Sequence, residues 1–241
     1  MNDSHAEESS PPEEPPDHRW PSPHETAGAG HHRRLRSGST YLVTRDGSLF
    51  VVSEQYGYKT EPYYLILSRE LAGERVHPGS RSVLDASIVP VCLDQASRAG
   101  IPVASCFISQ SFVEVPAILY GLNYFSCTSG YAVVWGMERA KEVIRHITNS
   151  GKYPFCYQPL DNGDEVVTVH AIFGRTHGHN EQLSRFAALL FEEFHLPLVT
   201  MVLVKRGDTH LLSSLAPARY SALSKPEKSL LRIFMSGQEF L

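Results

Sequence analysis

Long apolar segments are missing from the sequence of 241 residues. No run approaches the roughly 18 apolar residues that a membrane-spanning helix requires. The N-terminus is acidic, whereas a secretory signal peptide begins with basic residues and continues with apolar ones. We therefore expect a cytosolic protein that has no membrane partner.

The chain also lacks an excess of basic residues. It has 22 lysines and arginines against 26 aspartates and glutamates, a net charge of -4 and a pI of about 6.3. A protein that holds a phosphate backbone needs a basic surface to displace its counterions. The composition therefore argues against nucleic acid as a partner.

Cysteines are few and lie far apart. The four of them, Cys92, Cys106, Cys127 and Cys156, include no C-x-x-C pair, so neither a disulfide framework nor a cysteine zinc site is predicted. We interpret them as free thiols in a reducing compartment. Cys127 lies in a polar stretch that would expose it as a nucleophile, and Cys106 lies in a predicted buried strand, but ordinary thiols are the favoured interpretation of both.

Composition divides the chain into three parts. Residues 1–38 hold six prolines, an acidic first half and a histidine and arginine patch at 31–36, with little apolar surface to bury, which predicts a disordered tail. Residues 39–128 are predicted to form a small N-terminal α/β domain, and residues 129–241 a C-terminal domain. The fold class is therefore α/β.

The N-terminal domain alternates predicted strands and helices. An Asp-Gly turn at 46–47 joins two apolar runs and predicts a hairpin. A helix over 62–71 places Tyr64, Leu67 and Leu71 on one face, and a second helix ends at Gly100, where a tight turn leads into a strand. This order predicts a small parallel or mixed sheet. The predicted elements are strands 41–44, 49–53, 75–77 and 101–103 and helices 62–71 and 88–98; residues 107–131 are interpreted as a boundary or active loop.

The second half has clearer periodicity. Its predicted order is βαββαβ, typical of a ferredoxin-like arrangement, followed by one more strand and an amphipathic helix. The predicted elements are strands 131–135, 153–158, 165–173, 198–205 and 209–215 and helices 138–148, 181–194 and 226–235.

Two parts of the chain, one in each predicted domain, resemble the RimK-like branch of the ATP-grasp ligases, which join a carboxylate to an amine through an acyl-phosphate. Residues 63–80 read YYLILSRELAGERVHPGS, similar to the helix and strand of that family's N-terminal domain, and residues 93–103, LDQASRAGIPV, are similar to the helix and turn that follow. Residues 153–160 read YPFCYQPL, similar to a strand whose lysine binds nucleotide phosphates. The resemblance implies an ATP-grasp-like second half.

The chain departs from this family at the residues that matter for chemistry. Gln158 stands at the position of the phosphate-binding lysine, and a neutral amide does not offset phosphate charge. The family's last strand supplies a glutamate and an asparagine to magnesium, but residues 209–217 read THLLSSLAP and contain no carboxylate. The resemblance therefore implies a reduced, non-catalytic relative, or a chain that works with a second one.

Neutral polar side chains form the candidate ligand site. They gather around Gly121 and could line a pocket for a small polar ligand, although an irregular loop that packs its aromatic side chains inward is favoured. The candidate ligand-binding residues are Ser109, Gln110, Tyr120, Asn123, Tyr124 and, from the resemblance, Gln158.

Histidines give the candidate metal site. His177 and His179, two residues apart, would have to converge with His170 and His210 to bind zinc. No cysteine or carboxylate stands at a ligand spacing nearby, so solvent-facing histidines are the favoured interpretation and no metal is assigned.

The sequence leaves three functions open. The leading hypothesis is an accessory or binding module, descended from an ATP-grasp protein, that works with a biosynthetic ligase. The alternatives are an active ATP-dependent carboxylate–amine ligase and a domain that senses amino acids, the last from fold analogy alone. A biosynthetic enzyme or a second copy of the chain is the expected partner, and no cofactor is assigned.

Overall fold

The computed structural model describes residues 35–122 and 130–236, which form three β-sheets and six α-helices. The elements in chain order are β1 (Tyr41–Arg45), β2 (Ser48–Val52), α1 (Glu61–Leu71), β3 (Val76–His77), α2 (Ser80–Ser87), α3 (Val89–Arg98), β4 (Phe107–Ser109), β5 (Ala117–Gly121), β6 (Tyr131–Val134), α4 (Met137–Ile147), β7 (Phe155–Pro159), β8 (Glu165–Ile172), α5 (Glu181–Phe194), β9 (Leu198–Arg206), β10 (Thr209–Ala216) and α6 (Lys225–Met235).

The first sheet, sheet A, has the strand order β1-β2-β3. Its hairpin turns at Asp46 and Gly47, both at positive φ, which confirms the predicted turn. Strand β3 then pairs with β2 in the parallel direction. The sheet is therefore mixed, one of the two arrangements that the sequence predicts.

Helix α1 lies where it was predicted but buries another face. Pro62, Tyr63 and Ile66 are buried, whereas Tyr64 is 45 % and Leu71 81 % exposed. The helix contacts β3 and α2 through the Tyr63 and Ile66 side, so the predicted face through Tyr64, Leu67 and Leu71 is wrong. Helix α2 was not predicted, because it is short and buries only Val83 and Ala86.

The turn after α3 is confirmed, but the strand that follows it joins another sheet. Helix α3 ends at Arg98, Gly100 has a φ of 84°, and the Ile101 amide donates to the Ala96 carbonyl. The chain then pairs with β10, because Leu212 exchanges hydrogen bonds of 2.8 Å with Pro102 and Ala104. The segment 101–103 therefore extends the sheet of β10 and not sheet A.

The predicted strands and helices of the second half are all present, but the strands do not close into one ferredoxin-like sheet. They divide between sheet B, with the order β10-β9-β8, and sheet C, with the order β4-β7-β5-β6. Strand β5 lies between β6 and β7, and both β4 and β5 fall in the segment interpreted as a loop. Strand β5 is buried on both faces and so has no polar alternation to reveal it.

Sheet C separates two layers of side chains. One face packs on α4 through Ala117, Leu119, Phe155 and Tyr157. The other face joins the largest core, which takes side chains from α1, α2, α3, α5 and sheet B. The predicted domain boundary at 128–129 lies outside the described residues and stays a prediction.

Residues 35–38, which composition assigns to the tail, are bound to the rest of the protein. Leu35 packs on the core cluster that includes Tyr220, and the Ser37 hydroxyl and the Gly38 amide donate to the buried carboxylate of Glu54. The other oxygen of Glu54 accepts from the Tyr220 amide. The predicted tail therefore extends four residues too far, and residues 1–34 lie outside the described part of the chain.

Within the two described ranges, no helix combines the length and the apolar character that crossing a bilayer requires. The longest of these helices, α5, has 14 residues.

Candidate functional site

Gln158 is fully buried on β7, a strand whose neighbours are apolar or aromatic. Its side chain is on the side of sheet C that faces the largest core, as are Cys156 and Tyr120. A buried amide needs partners for both its oxygen and its nitrogen, since an unpaired buried polar group costs about 1–3 kcal/mol. Those partners come from sheet B.

Ser213 supplies both partners from the middle of β10. The Gln158 amide nitrogen donates to the Ser213 carbonyl at 2.8 Å, and the Ser213 hydroxyl donates to the Gln158 amide oxygen at 2.6 Å. The pairing of β10 with β9 shifts by one residue at Ser213, as in a β-bulge, which leaves that residue without its own place in the ladder. Gln158 therefore binds the carbonyl of a bulged residue.

Tyr120 on β5 completes the group. Its hydroxyl lies 2.6 Å from the Ser213 oxygen, and because the serine proton is directed at Gln158, the phenol is the donor. Burial raises the pKa of Tyr120, although the hydrogen bond with Ser213 opposes this in part. The neighbouring Ser214 hydroxyl lies near the phenol but its oxygen makes no hydrogen bond of normal geometry.

We name Tyr120, Gln158 and Ser213 the Gln158 cluster. All three side chains are uncharged and at most 1 % exposed. Each hydrogen bond joins sheet B to sheet C, and the donors and acceptors are directed at one another. The cluster therefore holds the two sheets together and offers neither a charge nor a proton acceptor to a ligand at neutral pH.

The other predicted ligand residues are not part of this cluster. Ser109 ends β4 opposite Phe155, and its hydroxyl accepts from the amides of Ser111 and Phe112, as in a local serine turn. Gln110 follows it on the surface and is exposed. Asn123 and Tyr124 lie outside the described residues. The structure thus unites two of the six candidates, Tyr120 and Gln158.

The four histidines considered as metal ligands do not come together. His170 on β8 donates to Glu227 of α6 at 3.1 Å, and His210 on β10 donates to Gln182 of α5 at 3.0 Å. Strands β8 and β10 are the two outer strands in the order of sheet B, so these imidazoles do not meet. His177 and His179 are exposed on the turn before α5. Across the described residues, no group of three or more His, Cys, Asp or Glu side chains has an arrangement that would hold a metal ion.

Two cations of the second half have acidic partners. Arg206 binds Asp164 through two nitrogens, at 3.0 and 2.7 Å, and this pairing lowers the pKa of the buried Asp164. Lys205 lies 3.5 Å from Glu165. Arg206 and Lys205 lie at the end of sheet B where β7 connects to β8 and β9 connects to β10. Each of them is paired with a carboxylate there.

An open cavity lies elsewhere among the described residues. It has a volume of about 590 Å³ and lies between β6 and α4, where Tyr131, Arg139, Arg145 and His146 contribute to its walls. Arg139 is already paired with Glu142 in the same wall. None of the Gln158 cluster lines this cavity.

Sequence reasoning singled out Gln158 and Tyr120 but missed Ser213. The available signal was the pair Ser213-Ser214 within the otherwise apolar run of β10, which also contains Leu212 and Leu215. Two serines in a buried strand need partners outside that strand. The sequence does not say which residue, 55 positions away, supplies them.

Comparison with known proteins gives a family model and a fold. The model of the RimK-like ATP-grasp N-terminal domain matches residues 136–233, from the start of α4 into α6. This N-terminal-domain model covers residues 153–160, which the sequence resemblance assigns to a nucleotide-binding strand, and leaves out residues 63–80, which the resemblance assigns to the N-terminal domain. The match supports the family and leaves the predicted division into domains untested. No curated protein matches the sequence.

Solved structures share the fold at low sequence identity. The RimK domain ATP-grasp protein from Sphaerobacter thermophilus has a TM-score of 0.53 and 14 % identity, with 74 % of this chain and 74 % of that chain covered. The D-alanine-D-alanine ligase from Helicobacter pylori has a TM-score of 0.52 and 13 % identity, with 72 % of this chain and 65 % of that chain covered. The predicted resemblance to the RimK-like ATP-grasp proteins is therefore confirmed over residues 136–233 by the family model, and the solved structures show an ATP-grasp fold.

Proposed function

We propose that this chain is a reduced, non-catalytic relative of the RimK-like ATP-grasp ligases that acts as an accessory or binding module beside a biosynthetic ligase. The observation that carries the proposal is the Gln158 cluster. It fills, with neutral and mutually bonded side chains, the place where the family resemblance puts a phosphate-binding lysine and a magnesium-binding strand.

Phosphoryl transfer depends on charge at those two positions. A nucleotide phosphate chain needs cations or oriented amides, and its magnesium ion needs carboxylate oxygens. Both ends of the Gln158 amide are bonded to Ser213, and the side chain is neutral and fully buried, so it offers a phosphate neither a charge nor an accessible group. Opening the site would break the three hydrogen bonds that join sheets B and C, which we expect to cost several times the net value of about 1 kcal/mol per hydrogen bond.

The edge of sheet C supports a role in binding a partner. Strand β4 is one of the two outer strands in the order of that sheet. The exposed fractions of its residues Phe107 and Ile108, and of Phe112 just after it, are 48 %, 61 % and 61 %. Apolar side chains grouped on an edge strand are typical of surfaces that pair with another protein. A ligase subunit or a second copy of the chain would cover them.

Calorimetric titration with magnesium ATP tests the proposal. We expect binding no tighter than roughly millimolar, about -4 kcal/mol. A catalytically active RimK-like ligase, titrated in the same buffer, is the positive control. Saturation at low micromolar ATP that is lost in Ser213→Ala, while circular dichroism shows the variant to be folded, would contradict the proposal and favour the active ligase.

The sensing alternative has its own measurement. A thermal-shift series with the twenty amino acids in the absence of ATP should leave the melting temperature unchanged if the chain acts only as an accessory module. A concentration-dependent rise with one amino acid would favour the sensor, because a ligand that binds only the native state raises its stability.

A further inference from the structure

Two of the four cysteines lie in contact at the start of sheet C. The sulfur atoms of Cys106 and Cys156 are 2.9 Å apart, although the residues are 50 positions apart in the chain. Cys156 belongs to β7, and Cys106 comes immediately before β4, which pairs with β7. A disulfide has an S–S length of about 2.05 Å, so a small approach of the two side chains would bring them to bonding distance.

The two thiols differ in access to solvent. Cys156 is fully buried, whereas Cys106 is partly exposed, which corrects the prediction that Cys106 lies in a buried strand. The hydrogen bond that Cys156 donates lowers the pKa of Cys106, and the same bond together with burial raises the pKa of Cys156. The accessible thiol is therefore also the one that ionises first, as in redox cysteines that have a resolving partner.

We propose that Cys106 and Cys156 form a reversible disulfide by exchange with a small-molecule disulfide of the glutathione class. The Cys106 thiolate attacks one sulfur of that disulfide, forms a mixed disulfide and releases one thiol. The Cys156 sulfur then attacks the Cys106 sulfur, and the second thiol leaves. The two cysteines lose two electrons and two protons, and the small disulfide gains them as two thiols.

The disulfide would fix the edge strand of sheet C to the centre of the molecule. Cys156 shares a face of β7 with Gln158 and stands opposite Tyr120 in β5. Cys106 leads into Phe107 and Ile108, which belong to the exposed apolar edge. Oxidation therefore links the edge to the strand that carries the Gln158 cluster, and reduction releases it.

Peptide mapping of the full chain tests this site. The reduced protein is incubated with glutathione disulfide, the remaining thiols are blocked, and the non-reduced digest is examined by mass spectrometry. We expect a single main crosslink, Cys106 to Cys156, that is at least ten times more abundant than any other and disappears with dithiothreitol. A stable glutathione adduct at Cys106 without the crosslink, a crosslink of Cys106 to Cys127, or no oxidation at all would each overturn the proposal.

Single substitutions separate the two roles. Cys156→Ser should trap the mixed disulfide at Cys106, and Cys106→Ser should leave Cys156 unmodified because it is buried. Cys92→Ser, at a buried thiol outside the pair, is the matched control and should keep the crosslink. If Cys156→Ser does not fold, limited alkylation of the wild-type protein decides the order of attack: Cys106 should react at least ten times faster than Cys156, and equal rates would contradict the assignment.

Discussion

Substitution of Gln158 distinguishes a closed structural cluster from an open ligand site. Gln158→Ala removes two hydrogen bonds and leaves the Ser213 carbonyl and hydroxyl buried with fewer partners. Each such buried group costs about 1–3 kcal/mol, and the space left by the side chain adds to this. Because the residue is fully buried, we expect the free energy of unfolding to fall by about 2–4 kcal/mol. That corresponds to a melting temperature lower by roughly 5–15 °C in a chain of this length.

Urea denaturation followed by circular dichroism measures this loss. Gln110→Ala is the matched control, since Gln110 is an exposed amide beside the same sheet and should change stability by less than about 0.5 kcal/mol. Ser213→Ala and the double variant complete a cycle, in which we expect a coupling of about 1–2 kcal/mol. If Gln158→Ala were as stable as the control, the side chain would not be bonded in a closed cluster and the argument for a non-catalytic site would fail.

Three further substitutions test how the rest of the fold is held together. Glu54→Ala removes a buried acceptor from three donors and should lower the free energy of unfolding by about 2–4 kcal/mol in urea denaturation. Deletion of residues 1–34 alone should change it by less than about 0.5 kcal/mol. Gly174→Ala should lower the free energy of unfolding by about 2–4 kcal/mol, because Gly174 has a φ of 72° and an added Cβ would lie 2.9 Å from Cβ of Phe191. A melting temperature within about 2 °C of wild type would refute this. Burial and the stacked His195 ring lower the pKa of His77 from its ordinary value of 6.5. The unfolded chain therefore binds more protons, and the free energy of unfolding should fall as the pH decreases from 6.5 through the lower native pKa. His77→Gln should flatten this part of the plot of stability against pH, and an unchanged slope would contradict the assignment.

The elements that were predicted best from the sequence are those whose apolar periodicity is set by a single buried face. Helix α5 begins and ends at the predicted residues, because its apolar stripe is continuous, Asn180 caps its first turn and His195 ends it in the left-handed conformation. The hairpin at Asp46 and Gly47 follows from local turn chemistry in the same way. Such elements depend on residues close to one another in the chain.

Strands that are buried on both faces, and strands that are mostly exposed, were not predicted. Strand β5 has no polar alternation to indicate its period, and β4 is short and exposed. The face of α1 was misjudged because Tyr64 and Leu71 are as apolar as Tyr63 and Ile66, and only the position of β3 and α2 decides which pair is covered. That choice is made by tertiary contacts that the local pattern does not contain.

The candidate site shows the same limit at the level of single residues. The sequence resemblance places Gln158 where the family has a lysine, and from this alone we predict weak phosphate binding. It does not predict that the amide is satisfied by Ser213, because the bond joins two sheets whose relative position no local pattern encodes. A glutamine in a buried strand nevertheless requires such a partner, since the strand's own ladder uses only backbone groups. The neutral residues on β7 and β10 therefore depend on one another: the amide of Gln158 is stable in the core because the hydroxyl and the carbonyl of Ser213 face it from β10. A lysine placed at position 158 alone would bury an unpaired charge, so a stable cation at this position would require changes on both strands at once.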